Sequence, residues 1–393
     1  MFQLSRRGMS AWILVAALTA SYAQGDIPPI DGDPTVRFAY VIPSNRTPQP
    51  NGVANFQESI LLVHAWHGEQ MSRWGHGYKS FRYETEEDGV TPLVHVIYVT
   101  ETDEELRGDG PYGLWFNTAP AAYNAGATSI YSSGEIWVLI AEAHVQLPDS
   151  SIIGGTALGW GGALNGAGSS GDCNGRAMIG SDMLPLMGWS VLQDDTHYDG
   201  LIIPEIGPYP LRYGVSWAGF LGETKSSVAS SNTGALAHEM GHGFGLYHDF
   251  RNDANFRGVL MGNGLRGFRG WLLPTDYPEN VTRLSCGAAM TLNTLPYFAT
   301  FEPGLAPPRS GPPADDGTSA TVAESAPAIS ELVAWPPTLR FGPTGDDTPG
   351  PFPTDPPAPE EDSPPGRDER DDTWPTLTVF TSGDVDPVDG HIR

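Results

Sequence analysis

Apolar and polar positions change period several times along this chain, and each change marks an element. Val36–Pro43 (VRFAYVIP) is a short, dense apolar run with β-branched and aromatic residues, which predicts the first strand of a sheet. Ala54–Gly75 follows with apolar residues at helical spacing. Ile60, Val63, His64, Trp66 and Met71 are available to one face, so a long helix is expected, with His64 and His67 packed or solvated rather than ligating. Phe81–Glu84 and Leu93–Val99 read as strands flanking a turn at Glu87-Asp88-Gly89, and Glu135–Ala143 (EIWVLIAEA) as another strand. A second helix should carry the stretch around His238, with Ser230, Ser231, Asn232 and Thr233 as N-cap candidates. Val281–Phe298 reads as a closing helix. Helices packed on a mixed, twisted sheet give an α+β (α/β-like) sandwich as the expected fold class.

The ends of the chain follow different rules. Residues 1–23 hold Arg6 and Arg7, then the apolar run Ala11–Ala20, then Ser21-Tyr22-Ala23. That is the layout of a secretory signal peptide cut after Ala23, and the apolar run is too short to span a bilayer. No later stretch is long and apolar enough to span either. Residues 24–35 form a short N-terminal segment. Residues 36–302 are mixed and aromatic-rich, long enough for a core of their own. Residues 303–393 contain 19 of the 36 prolines, and 17 Asp/Glu against five Arg and no Lys. Such a tail buries too little apolar surface to fold alone and is expected to be a disordered spacer. The net charge of −26 is spread over the whole chain without a basic patch, which makes nucleic acid and anionic membrane poor partners. An exported monomer is expected.

The chemistry concentrates in His238–Asp249, which reads H-E-M-G-H-G-F-G-L-Y-H-D. Two histidines four residues apart on a helix share one face, a turn above one another, so His238 and His242 can grip a single metal ion. Glu239 points to the same side, near a water on that ion rather than the ion itself. Gly245 lets the chain leave the helix with positive φ, and His248 swings back as a third nitrogen ligand. Three nitrogens with the fourth position left to water is the arrangement of a catalytic zinc site. Five fixed positions at roughly one in twenty each give on the order of 10⁻⁴ chance matches in a chain of this length.

These residues match H-E-x-x-H-x-x-G-x-x-H, so the chain resembles the metzincin zinc endopeptidases. With VRFAYVIPSNR, QMSRWGHG, FRYETEEDG, VLMGNG and RLSCGAA, it resembles secreted bacterial members of that clan over about residues 36–300. The resemblance implies one catalytic Zn²⁺, a protein or peptide substrate, Glu239 as general base, and Met261 in a tight turn beneath the metal. Gly262 and Gly264 supply the turn chemistry. Where several related families place a tyrosine two residues after this methionine, Asn263 stands here. The resemblance also implies an edge strand over the cleft for extended substrate, for which Ile152–Leu158 is the candidate, ahead of a glycine-rich segment that runs to Gly180.

Two other functions are compatible with the motif: a non-catalytic adhesion or binding protein on a zinc-protease scaffold, and a zinc amidase acting on peptidoglycan. The intact Glu239 argues against the first, since a scaffold has no use for a general base. Calcium is not indicated. Asp194, Asp195 and His197 are expected to face water, and Gly383-Asp384-Val385-Asp386 matches a calcium loop poorly because Val388 stands where a ligand is needed. Cys173 and Cys286 are the only cysteines, and export favours their pairing as one disulfide.

Overall fold

A computed structural model describes residues 26–301, except 109–111, 133, 156, 162–174, 216–221, 250–257 and 273–281. The signal peptide, the tail from 303 onward and Cys173 therefore lie outside the described residues.

The fold is a mixed α/β arrangement. Its central sheet takes β1 (Thr35–Ile42), β3 (Val94–Tyr98), β4 (Glu135–Ala141), β7 (Ala157–Gly161) and β8 (Gly175–Gly180) in the order β3-β1-β4-β8-β7. The first four are parallel and β7 closes one edge antiparallel to β8. Small two-stranded pairings join β2 (Lys79–Phe81) to β9 (Phe298–Thr300), and β5 (Val145–Gln146) to β6 (Ile152–Ile153).

β1 is buried along its whole length because both faces of the sheet are covered, which is why it reads as a continuous apolar run instead of alternating. Val36, Phe38, Tyr40 and Ile42 face one core, shared with α1 (Gly52–Arg73) and α5 (Lys225–Gly243). Ala39 and Val41 face a second core, shared with α3 (Gly113–Asn124). Arg37 is buried mid-strand, and its charge is met by Glu84 at 2.8 Å and Glu135 at 3.3 Å, with the guanidinium 4.8 Å over Trp137. His64 and His67 are buried on α1 among Phe81, Tyr83, Phe244, Phe298 and Phe301. Burial lowers their pKa values to about 3 and about 4, which holds both rings neutral.

Several expectations shift. Only Lys79–Phe81 is a strand where Phe81–Glu84 was expected, and Tyr83 adds a single bridge to Val36. The expected edge strand Ile152–Leu158 is broken. Ile152–Ile153 pairs with β5, the backbone turns at Gly154 with φ of 82°, and the edge strand of the main sheet is β7. The closing helix is shorter than Val281–Phe298 and comprises α7 (Cys286–Thr294), because Ser285 caps it through Ala288 N and Phe298 leaves to pair with β2. Shorter α-helices are α2 (Asp103–Arg107), α4 (Trp189–Leu192) and α6 (Phe268–Leu272). None of the described helices is long and apolar enough to cross a membrane.

Candidate metal centre

The helix α5 begins well before the expected caps. Thr224 is the N-cap and forms a reciprocal capping box with Ser227. Ser230, Ser231, Asn232 and Thr233 lie buried inside the helix instead. Three of them bond to backbone carbonyls: Ser230 Oγ donates to Arg266 O, Ser231 Oγ to Ser227 O, and Asn232 Nδ2 to Leu186 O.

Glycines let this helix lie directly on the sheet. A Cβ on Gly159 of β7 would stand 2.2 Å from Glu239 O, and one on Gly175 of β8 would stand 2.1 Å from Gly243 O. Backbone therefore meets backbone at the turn that carries His238, Glu239 and His242. The helix ends in a Schellman motif: Gly245 N bonds His242 O at 2.8 Å and Leu246 N bonds Gly241 O at 2.9 Å. Gly245 has φ of 84°, the left-handed value this ending demands. The chain then doubles back and delivers His248.

The three imidazoles converge. His248 Nε2 lies 3.1 Å from His238 Nε2 and 3.1 Å from His242 Nε2, and one ligand atom from each ring falls within 4.8 Å of the others. The opposite nitrogens settle the tautomers. His238 Nδ1 contacts Leu260 O at 2.7 Å and His242 Nδ1 contacts Leu246 O at 2.8 Å. A carbonyl only accepts, so both Nδ1 atoms carry hydrogen and both Nε2 atoms present lone pairs in the neutral ring. Burial keeps the rings neutral, lowering His238 to about 3 and His242 to about 4, and His248 shifts in the same direction. Two lone pairs aimed at the His248 nitrogen are mutually repulsive unless a cation lies among them, because one N–H on His248 cannot serve both. The spacing fits such an ion: tetrahedral zinc with nitrogens at about 2.0–2.1 Å needs them about 3.3–3.4 Å apart. Carbonyls that orient metal-ligating rings through the far nitrogen are the usual outer layer of such a site.

Glu239 is almost entirely buried beside this cluster, and burial alone pushes its carboxyl up to about 8. Among the described residues no hydrogen bond or ion pair reaches that carboxylate. A dication at the three nitrogens is the opposite charge that would draw it back into the ionised range.

Met261 is buried under the helix. Its Sδ lies where a Cβ on Gly241 would fall, 2.4 Å away, and its carbonyl accepts from Asp249 N at 2.9 Å. It sits in a turn closed by Gly262 N and Gly264 N, both bonded to Val259 O at 3.0 Å. The neighbouring carbonyl of Leu260 is the one that orients His238, a role for which the sequence offered no side chain to flag. A cavity of about 290 Å³ opens beside His248. It runs between residues 245–249 and the start of α7, with Ser285, Ala288 and Thr291 on its far wall and Met261 in its floor.

The structure does not bring the remaining candidates into this site. Asp194 pairs with Lys225 at 2.9 Å, and His197 stands exposed 3.7 Å from Glu223. Cys286 is exposed at the first position of α7, while the other half of the expected bridge lies outside the described residues.

No protein-family profile matches the chain, and no curated protein does. Among solved structures, wild-type OgpA from Akkermansia muciniphila aligns in two crystal forms. The identities are 14% and 15%, the TM-scores 0.40 and 0.41, and the alignments cover 72% and 73% of this chain and 66% and 67% of that one. Catalytically inactive OgpA in complex with an O-glycopeptide (glycodrosocin) substrate aligns at 14% identity with a TM-score of 0.38, covering 68% of this chain and 62% of that one. The alignments thus span about two thirds of the OgpA chain.

Proposed function

We propose that this chain is an exported zinc-dependent endopeptidase of the metzincin type. The observation that carries the reading is the pair of Nδ1-to-carbonyl contacts at His238 and His242, which turn two lone pairs onto the His248 nitrogen. His238, His242 and His248 would hold the metal as neutral imidazoles. When bound, zinc supplies a Lewis acid that polarises a peptide carbonyl and lowers the pKa of water toward neutrality.

Glu239 is the general base. Its carboxylate takes a proton from the attacking water and passes it to the leaving amine. Nothing else among its described contacts competes for the carboxylate, and its burial at the sheet-facing turn limits bulk water around it. The extended substrate runs along β7, the outermost of the described strands on that side of the sheet, whose Gly159 already touches the backbone of Glu239. A substrate side chain beside the scissile bond enters the cavity between His248 and α7.

Metal analysis of the purified full-length protein, paired with casein digestion with and without chelator, tests this reading. About one zinc per chain, casein cleavage, and loss of cleavage with chelator are expected. Cleavage that survives complete removal of metal would overturn it.

A further inference from the structure

The central sheet changes winding direction at β1. From β1 the chain crosses to β3 on one side and returns to β4 on the other, with α1 and α3 packed on opposite faces. In open α/β sheets the crevice outside the carboxyl ends of the strands at such a reversal is where ligands are held. The three histidines are elsewhere. The carboxyl end of α5 lies against Gly175, the first residue of β8, so the metal centre is at the amino end of that strand.

The carboxyl-end crevice contains a separate cavity of about 400 Å³, formed between the β1–α1 loop, the segment after β8, residues 201–205 and the first residue of α5. Lys225 in its wall and His238 are 13 residues apart on one helix, which is about 20 Å.

We propose that this cavity binds a cationic group on an aliphatic stem, of the kind carried by a lysine or arginine side chain. The charges in its wall point that way. Lys225 is neutralised by Asp194 at 2.9 Å, which leaves Glu205 as the uncompensated charge. Among the described residues no hydrogen bond or ion pair reaches the Glu205 carboxylate. Asn51, at the N-cap position of α1, makes no side-chain capping bond, so its amide oxygen remains to accept from an N–H donor. The lining also includes the aliphatic side chains of Leu201, Ile202 and Ile203, and Ile202 is 57% exposed. A methylene stem lies on such a wall while its charged head reaches a carboxylate. The chain's net charge of −26 draws cations and repels anions.

Saturation-transfer NMR titrations of the full-length protein with N-acetyl-lysine methylamide and N-acetyl-arginine methylamide test this, with the norleucine analogue as the neutral control. Saturable binding of both cations is expected. Norleucine should bind about tenfold more weakly, the factor that one charge-assisted hydrogen bond supplies. Glu205→Gln should reduce the cations to the norleucine level, and Ile202→Ser, at an exposed position, should weaken all three. Chelator should leave every value unchanged. Equal binding of norleucine and lysine derivatives, cation binding that survives Glu205→Gln, or binding lost with the metal would each overturn the proposal.

Discussion

Gly159 and Glu239 meet with no side chain between them: a Cβ on the strand residue would lie 2.2 Å from the helix residue's carbonyl oxygen and 2.7 Å from the Cβ of His242. Both neighbours belong to the framework of the turn that carries His238 and His242, and neither can swing aside. Gly159→Ala should therefore separate β7 from α5, at roughly 1–3 kcal/mol of stability as for other overpacked sites. It should also lower the metal affinity, since His242 must move with its Cβ. Chemical denaturation and metal titration check both effects. A variant within 0.5 kcal/mol of the parent, with its metal affinity unchanged, would mean that the strand yields freely.

How much of this was legible in the sequence depended on distance along the chain. His238, His242, Gly245 and His248 fall within eleven residues, and helix geometry plus one left-handed residue brings them together. The carbonyls of Leu260 and Leu246 that fix the tautomers have no side-chain signature. The start of α5 was misplaced because Ser230, Ser231 and Asn232 look like caps, whereas they bond to backbone carbonyls, two of them brought in by distant chain at Leu186 and Arg266. β7 (ALGWG) has poor strand character by composition, and its Gly159 is there because a helix lies on it. α3 gave no amphipathic signal: it contains no charged residue and carries Pro120 inside.

Glu239→Gln should keep the fold and the metal while hydrolysis falls by roughly 10²–10⁴, the range for removing a general base. The substitution preserves shape and changes only the capacity to take a proton. Peptide turnover at matched zinc content is the measurement, and parent-like turnover would exclude Glu239 as the base.

His248→Ala should cost more metal affinity than the roughly 10–100-fold lost with an outer-layer partner, because it removes a direct ligand. His248 is the most exposed of the three rings and lies on a loop, so the fold should survive. Competition against a chromogenic zinc chelator reads the affinity. A value equal to the parent's would put the third ligand elsewhere.

Cys173 and Cys286 are proposed to form one disulfide, which export would favour. Cys286 opens α7 beside the cavity next to His248, so a bridge there would tie the cavity wall to the segment preceding β8. Closing a loop of about 113 residues is worth at most roughly 4–5 kcal/mol by chain entropy. Thiol titration of the denatured, unreduced protein should find no reactive thiol. Two per chain would exclude the bridge.

His64 and His67 should make stability fall as the pH drops from about 6.5 toward 4. In the folded chain burial lowers them to about 3 and about 4, while in the unfolded chain both titrate near 6.5. Within that window the unfolded chain binds more protons, so acid pulls the equilibrium toward it. His67 alone supplies up to about 3 kcal/mol of this loss at the low end. His238 and His242 act in the same direction, whereas Glu58, Glu69 and Glu239 act in the opposite one, because burial raises them and folding then favours the protonated form. Substitution of the rings separates the two effects. His64→Phe and His67→Phe keep an aromatic ring among the aromatic neighbours of each site, and each should flatten the decline in denaturation midpoint between pH 6.5 and 4. An unchanged slope in both variants would assign the acid sensitivity to other groups.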